Sequence, residues 1–146
     1  VLLGANQYLA RFSNGRFTLE LRQMSQTAGQ EFFLRDAYNA GQLRPINTMS
    51  GGEIFLAALA LALALSTQIQ LHGKYELGFF FLDEGFGTLD AEKLDTLMNA
   101  VEKLPENGRL VGIITHVQEV KNRLPYYWEI TPASISSGSK VRWGAN

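Results

Sequence analysis

No cysteine occurs among the 146 residues, which excludes disulfides and thiolate zinc sites and suits a reducing compartment. No G-x-x-x-x-G-K-[ST] phosphate loop occurs either, so any nucleotide chemistry here lacks the cradle and lysine that grip the β- and γ-phosphates. Net charge is nearly absent. Thirteen basic against 14 acidic side chains leave −1 and a pI near 6.1, without the clustered basic surface that nucleic acid normally requires. Any DNA contact must be local or lie outside this chain. The longest apolar run, Ile54 to Leu65, is twelve residues, short of the about 20 needed to span a bilayer. Val1 to Ala10 also lacks the basic leader and long apolar block of a signal peptide. The expectation is a soluble, cytoplasmic protein with no membrane partner, and Val1 in place of methionine suggests a cut fragment.

With 46% hydrophobic and 18% charged residues, the chain has the balance of one globular domain over 1–146. Leu2, Leu3, Tyr8, Leu9 and Phe12 suggest the end of a helix. The order Arg16 to Leu21 alternates as a strand, and Glu31 to Asp36 gives a second, bounded by the turn-prone Asn39-Ala40-Gly41; the two are expected to pair antiparallel at one edge. Ala58 to Leu65 alternates strictly, yet Ala and Leu are strong helix formers, and propensity predicts a core helix that must be covered on most sides. Phe79 to Leu82 and Leu110 to Ile114 are continuous apolar runs, expected as parallel strands buried on both faces. Between them Leu94, Leu97, Met98, Val101 and Leu104 follow helical spacing, entered at Asp90 and stopped by Pro105 and Gly108. Strand, helix, strand makes a right-handed crossover whose strand ends share the edge where open α/β sheets bind ligands. Trp128 to Trp143 is expected to add one or two short strands around Ser136-Ser137-Gly138.

Four short elements carry the chemistry. Thr48-Met49-Ser50-Gly51-Gly52-Glu53 precedes the core helix with the capping-box spacing of Ser50 and Glu53. Its two glycines also leave backbone N–H groups free to approach an anion at a helix N-terminus, so capping and phosphate recognition both stand open. Asp83 and Glu84 end a strand as adjacent, diverging carboxylates: one can face a Mg²⁺ and its water shell, the other an attacking water. Asp90 suits a helix N-cap, and His116 follows a strand as either an ordinary polar residue or a γ-phosphate sensor. His72, beside Gly73-Lys74, reads as surface.

The order of these elements resembles the C-terminal half of an ABC-type ATPase head. Glu53, where transporter cassettes usually carry Gln, points to the chromosome-maintenance and DNA-repair branch. Ser50 to Ala57, Leu82 to Asp90 and Gly108 to Val117 look like the SbcC family of exonuclease subunits over nearly the whole chain. That resemblance implies an α/β fold with a mostly parallel sheet flanked by helices and an antiparallel edge. Residues 1–12 would be a coiled-coil stub, 48–71 the signature motif and its helix, 79–90 the Walker B strand and D-loop, and 110–117 the switch-histidine strand. It implies an N-terminal half of the same head carrying Walker A, a second head, an SbcD-like nuclease subunit and double-stranded DNA ends as partners. It implies ATP and Mg²⁺ as cofactors, with any Mn²⁺ belonging to the nuclease. In such an ATP sandwich Ser50, Gly51, Gly52 and Glu53 bind the nucleotide held by the other head, with Ser50 and Gly52 on its γ-phosphate. Asp83 positions the metal, Glu84 activates water, Asp90 sits across the dimer interface and His116 senses the γ-phosphate. Thr115 and Ile54 depart from the usual Ser and Thr. The chain alone is expected to be inactive. The alternatives are another SMC- or RecN-like ATPase head, or a noncatalytic dimerisation fragment, against which the retention of both Asp83 and Glu84 argues.

Overall fold

The computed structural model describes residues 1–24, 29–72, 78–104, 110–135 and 137–146. The expected stops at Pro105 and Gly108, the residues Gly73-Lys74 beside His72, and Ser136 lie outside them.

Helix α1, Leu2–Phe12, buries Ala5, Leu9 and Phe12, which share one face at helical spacing. It lies against the antiparallel sheet of β1, Phe17–Gln23, β2, Gln30–Asp36, and β3, Gln42–Pro45, in that order. Asn6 fixes the distance between helix and sheet, because its side-chain amide donates to the Leu19 carbonyl at 2.9 Å and its oxygen accepts the Leu19 N–H at 2.7 Å. The expected antiparallel pair is present, with Phe17 opposite Asp36 and Leu19 opposite Leu34. The third strand follows the Asn39-Ala40-Gly41 turn, where Ala40 and Gly41 take φ of 50° and 70°.

Helix α2, Gly51–His72, is the core helix, and Leu56, Leu59 and Leu63 with Ala57, Ala60 and Ala64 form its buried side. It passes the length and hydropathy test for a membrane span over 51–71 while packing against α1 as a core element. The expected cover on most sides is present, and Ile54, Leu65 and Ile69 line one exposed stripe. Strict Ala-Leu alternation puts leucines all round a helix, so it cannot reveal which side this chain itself covers.

Strands β4, Phe79–Asp83, and β5, Leu110–Ile114, pair in parallel with Asp83 opposite Ile114. Helix α3, Ala91–Val101, runs between them in sequence and buries Leu94, Leu97, Met98 and Val101. Burial of both strands on two faces is corrected. Phe80, Leu82, Val111 and Ile113 face the core, whereas Phe79 and Phe81 are 66% and 65% exposed on the opposite face with Leu110 and Ile114. Side chains alternate across a strand, and a continuous apolar run does not say which face meets its partner.

A short helix α4, Gln118–Arg123, leads to the hairpin of β6, Tyr126–Thr131, and β7, Lys140–Ala145. Arg123 pins α4 to α3 through Asp95, Asn99 and Glu102. One hairpin face is bare and aromatic: Trp143 stacks on Tyr126 with centroids 5.5 Å apart and meets Trp128 edge to face at 5.0 Å. Parallel and antiparallel sheets flanked by helices thus make a mixed α/β fold.

Candidate functional site

The start of α2 is a closed capping box. Glu53 Oε2 accepts the Ser50 N–H at 2.9 Å, and the Glu53 N–H points to Ser50 Oγ at 3.4 Å. Ser50 and Gly51 are exposed while Gly52 and Glu53 are buried. Gly52 has a reason that the sequence did not offer, since a Cβ there would lie 2.8 Å from the Thr88 carbonyl oxygen. The signature segment is therefore packed directly on the turn after the acidic pair.

That turn begins where β4 ends. Asp83 closes the strand as an exposed carboxylate, and Glu84 leaves it at φ 59°, a left-handed conformation for a residue that has a side chain. Such a conformation costs on the order of 1 kcal/mol or more and persists only where its surroundings enforce it. Here the Glu84 N–H donates to the Ile114 carbonyl of the neighbouring strand at 2.9 Å. Its carboxylate meets His116 Nδ1 at 2.9 Å from Oε2 and 3.1 Å from Oε1. With a carboxylate as acceptor, Nδ1 carries the proton, and Nε2 stands on the far side of the ring. The pair is open to solvent, with side-chain exposures of 49% for Glu84 and 78% for His116. Gly87 lies beside the ring, where a Cβ would stand 3.8 Å from His116 Nε2.

Asp90 serves as the N-cap of α3, its side chain accepting the Lys93 N–H at 2.9 Å. It also pairs with the Lys93 ammonium, and these contacts hold its carboxyl below the usual range. The structure thus brings together Glu84 and His116, with Asp83 adjacent, and sets Gly52 against Thr88, whereas Asp90 is engaged within its own helix.

Sequence reasoning missed two residues behind the signature. Arg16 forms a fork to the buried Asp36, from Nε to Oδ1 at 2.9 Å and from Nη2 to Oδ2 at 2.7 Å. Those hydrogen bonds push the Asp36 carboxyl down and the Arg16 guanidinium up. The available signal was an Asp ending an otherwise apolar strand face beside a turn.

Residues 17–103, more than half of the chain, match the family model described as SbcC/RAD50-like, Walker B motif. The chain belongs to this family. It is 48% identical over 137 residues to the SbcC component of the SbcCD nuclease of Bacillus subtilis, covering 91% of this chain and 12% of that protein. The same-named proteins of Deinococcus radiodurans and Vibrio cholerae are 46% identical over 125 residues and 41% identical over 142, covering 86% and 94% of this chain and 13% and 14% of theirs. The chain therefore spans about an eighth of the length of these relatives. Its fold matches a structure from work on ATP-driven dimerisation and DNA-stimulated activation of SMC ATPases, with a TM-score of 0.74 over 99% of this chain and 83% of that one, at 19% identity. An Smc head bound to the winged-helix domain of ScpA gives 0.71 over 99% of this chain and 42% of that one, at 21% identity. In this SbcC/RAD50-like fold the strand Phe79–Asp83 and Glu84 fall within the matched Walker B segment, and His116 lies beyond it.

Proposed function

We propose that this chain is the signature and Walker B lobe of an SbcC-like ATPase head, hydrolysing ATP once a phosphate-loop segment joins it. The observation that carries the reading is Glu84, held in a left-handed conformation at a parallel strand end by Ile114 and His116, with Asp83 beside it. Glu84 acts as the general base that orients and deprotonates water, a role worth about 10²- to 10⁴-fold in rate. His116 holds that carboxylate through Nδ1 and, with Nε2 also carrying a proton, donates to the γ-phosphate.

Asp83 fits Mg²⁺ by the chemistry of its donor set. One exposed carboxylate suits an ion that keeps much of its water and takes phosphate oxygens, and among the described residues no group of three or more His, Asp or Glu side chains offers a protein cage. Bound Mg²⁺ would supply neutralisation of charge on the transferring phosphoryl group. Ser50 and Gly51, exposed at the start of α2, contact the nucleotide of a second head, with Gly52 and Glu53 holding them in place. Asp90 caps α3 and faces the dimer interface.

The bare face of β4 and β5, the open stripe of α2 and the aromatic hairpin face support completion of the sheet and core by the N-terminal half of the head. The relatives' name supports an SbcD-like nuclease subunit as partner; double-stranded DNA ends as its substrate and a cytoplasmic location rest on the family resemblance alone. Residues 1–12 then form the stub of the returning coil. The test is Glu84→Gln in the complete head, where nucleotide binding is expected to persist and turnover to fall by about 10²-fold or more. Normal turnover would reject the role of Glu84.

A further inference from the structure

Among the described residues, the buried charged side chains are Asp36 and Glu53, and one guanidinium reaches both. They are 17 positions apart in sequence, on different elements: Asp36 ends β2, and Glu53 lies in the first turn of α2. Arg16 Nη2 stands 2.7 Å from Asp36 Oδ2 and 4.0 Å from Glu53 Oε1. The guanidinium has little freedom to turn. Its fork is taken by Asp36, whose Oδ1 also accepts the Tyr38 N–H at 3.0 Å, and its carbon lies 4.6 Å from the Phe17 ring centroid and 5.6 Å from that of Tyr38.

Glu53 divides its two oxygens between neighbours. Oε2 holds the Ser50 N–H at 2.9 Å, and Oε1 faces Arg16. A buried carboxylate needs both hydrogen bonds and a counter-charge, and the guanidinium, at 4.0 Å, supplies the counter-charge for the Glu53 that reaches back to Ser50. Arg16 is itself seated on the end of α1: its N–H donates to the Ser13 carbonyl at 2.9 Å, and Ser13 Oγ donates to the Leu9 carbonyl at 2.7 Å. A path thus runs from α1 by hydrogen bond to Arg16, across a 4.0 Å ion-pair separation to Glu53, and by hydrogen bond to Ser50.

We propose that Arg16 and Asp36 are positioning residues for the signature segment, acting through Glu53 to hold Ser50 and Gly51 in the geometry that engages a nucleotide. The catalytic consequence rests on the ATPase reading above, while the structural claim stands by itself. Asp36 orients the guanidinium, the guanidinium orients Glu53, and Glu53 fixes the backbone of Ser50.

Two readouts in the full-length polypeptide that contains this chain test it. Hydrogen exchange over 48–54 without nucleotide reports the Ser50 N–H bond. Arg16→Lys keeps the positive charge and loses the fork, and exchange there is expected to quicken about tenfold, as for loss of one charge-assisted hydrogen bond. Turnover is expected to fall about tenfold with KM for ATP within about twofold, because the phosphate loop lies on another segment. In a Glu53→Gln background, Arg16→Lys is expected to add nothing to either effect, since the path is already cut. Unchanged exchange over 48–54, or losses that multiply in the double variant, would overturn the proposal. If Arg16→Lys unfolds the protein by circular dichroism, Asp36→Asn decides by the same measures, with a smaller shift in the same direction. Glu84→Gln separates the two claims. Normal turnover in that variant would remove the ATPase reading and leave the exchange result to judge Arg16, whereas lost turnover there beside normal turnover in Arg16→Lys would remove the catalytic consequence of Arg16 alone.

Discussion

Replacing each signature glycine by alanine separates packing from ligand approach. At Gly52 the new Cβ would meet the Thr88 carbonyl oxygen at 2.8 Å and Leu89 Cδ2 at 3.0 Å, contacts that force the backbone of the turn to move. At Gly51 the nearest atoms are Thr88 Cβ and Cγ2, both at 3.6 Å, an ordinary van der Waals contact. Overpacking costs about 1 to 3 kcal/mol, and alanine returns up to about 1 kcal/mol of helix propensity at either position. Gly52→Ala is therefore expected to destabilise by about 1 to 2 kcal/mol, and Gly51→Ala to be neutral or stabilising by up to about 1 kcal/mol. The two variants should differ by about 2 to 12 °C in Tm, with Gly52→Ala the lower, followed by far-UV circular dichroism. Equal stability of the two would refute the packing argument and return both glycines to a role in anion approach alone.

Acid sensitivity follows from Asp36, whose folded-state carboxyl is held below the usual range by Arg16. A depressed carboxyl contributes stability that is present above its unfolded value, about 3.9, and is lost as pH falls through the folded value. Asp36→Asn is expected to lower stability at pH 7 and to flatten its decline below about pH 4, checked by urea unfolding across that range. Identical pH slopes in the two proteins would count against the Arg16 pairing. Mixing heads that carry Ser50→Ala with heads that carry Glu84→Gln is expected to recover hydrolysis, because a mixed dimer places both lesions in one site and leaves the other intact. Confirmed heterodimers without recovery would contradict engagement across the dimer.

Local features were legible in the sequence. The Ser50 and Glu53 capping box, the Asp90 cap and the apolar face of α3 each depend on residues within a few positions of one another, and all three are in place. The parallel pairing that sets Glu84 near His116 followed from two apolar runs ending in polar residues. What stayed hidden depends on contacts between distant segments. Arg16, Asp36 and Glu53 meet only after three elements pack, and neither spacing nor periodicity encodes that meeting. Gly52 reads in sequence as a glycine kept for a ligand because Thr88, 36 positions later, cannot be placed against it from spacing alone. The positive φ of Glu84 runs against the preference of every residue with a side chain. Phe79 and Phe81 share an apolar run with Phe80 and Leu82, and only the fold distinguishes the open face from the packed one.

The central claim is that this chain holds one half of an ATP site, and calorimetry with Mg-ATP tests it most directly. The chain alone is expected to give little heat and negligible hydrolysis, since no residue in it replaces the phosphate loop and its lysine. Adding the phosphate-loop segment of the same head is expected to restore both binding and turnover. Micromolar binding of Mg-ATP by the chain alone would contradict the half-site account.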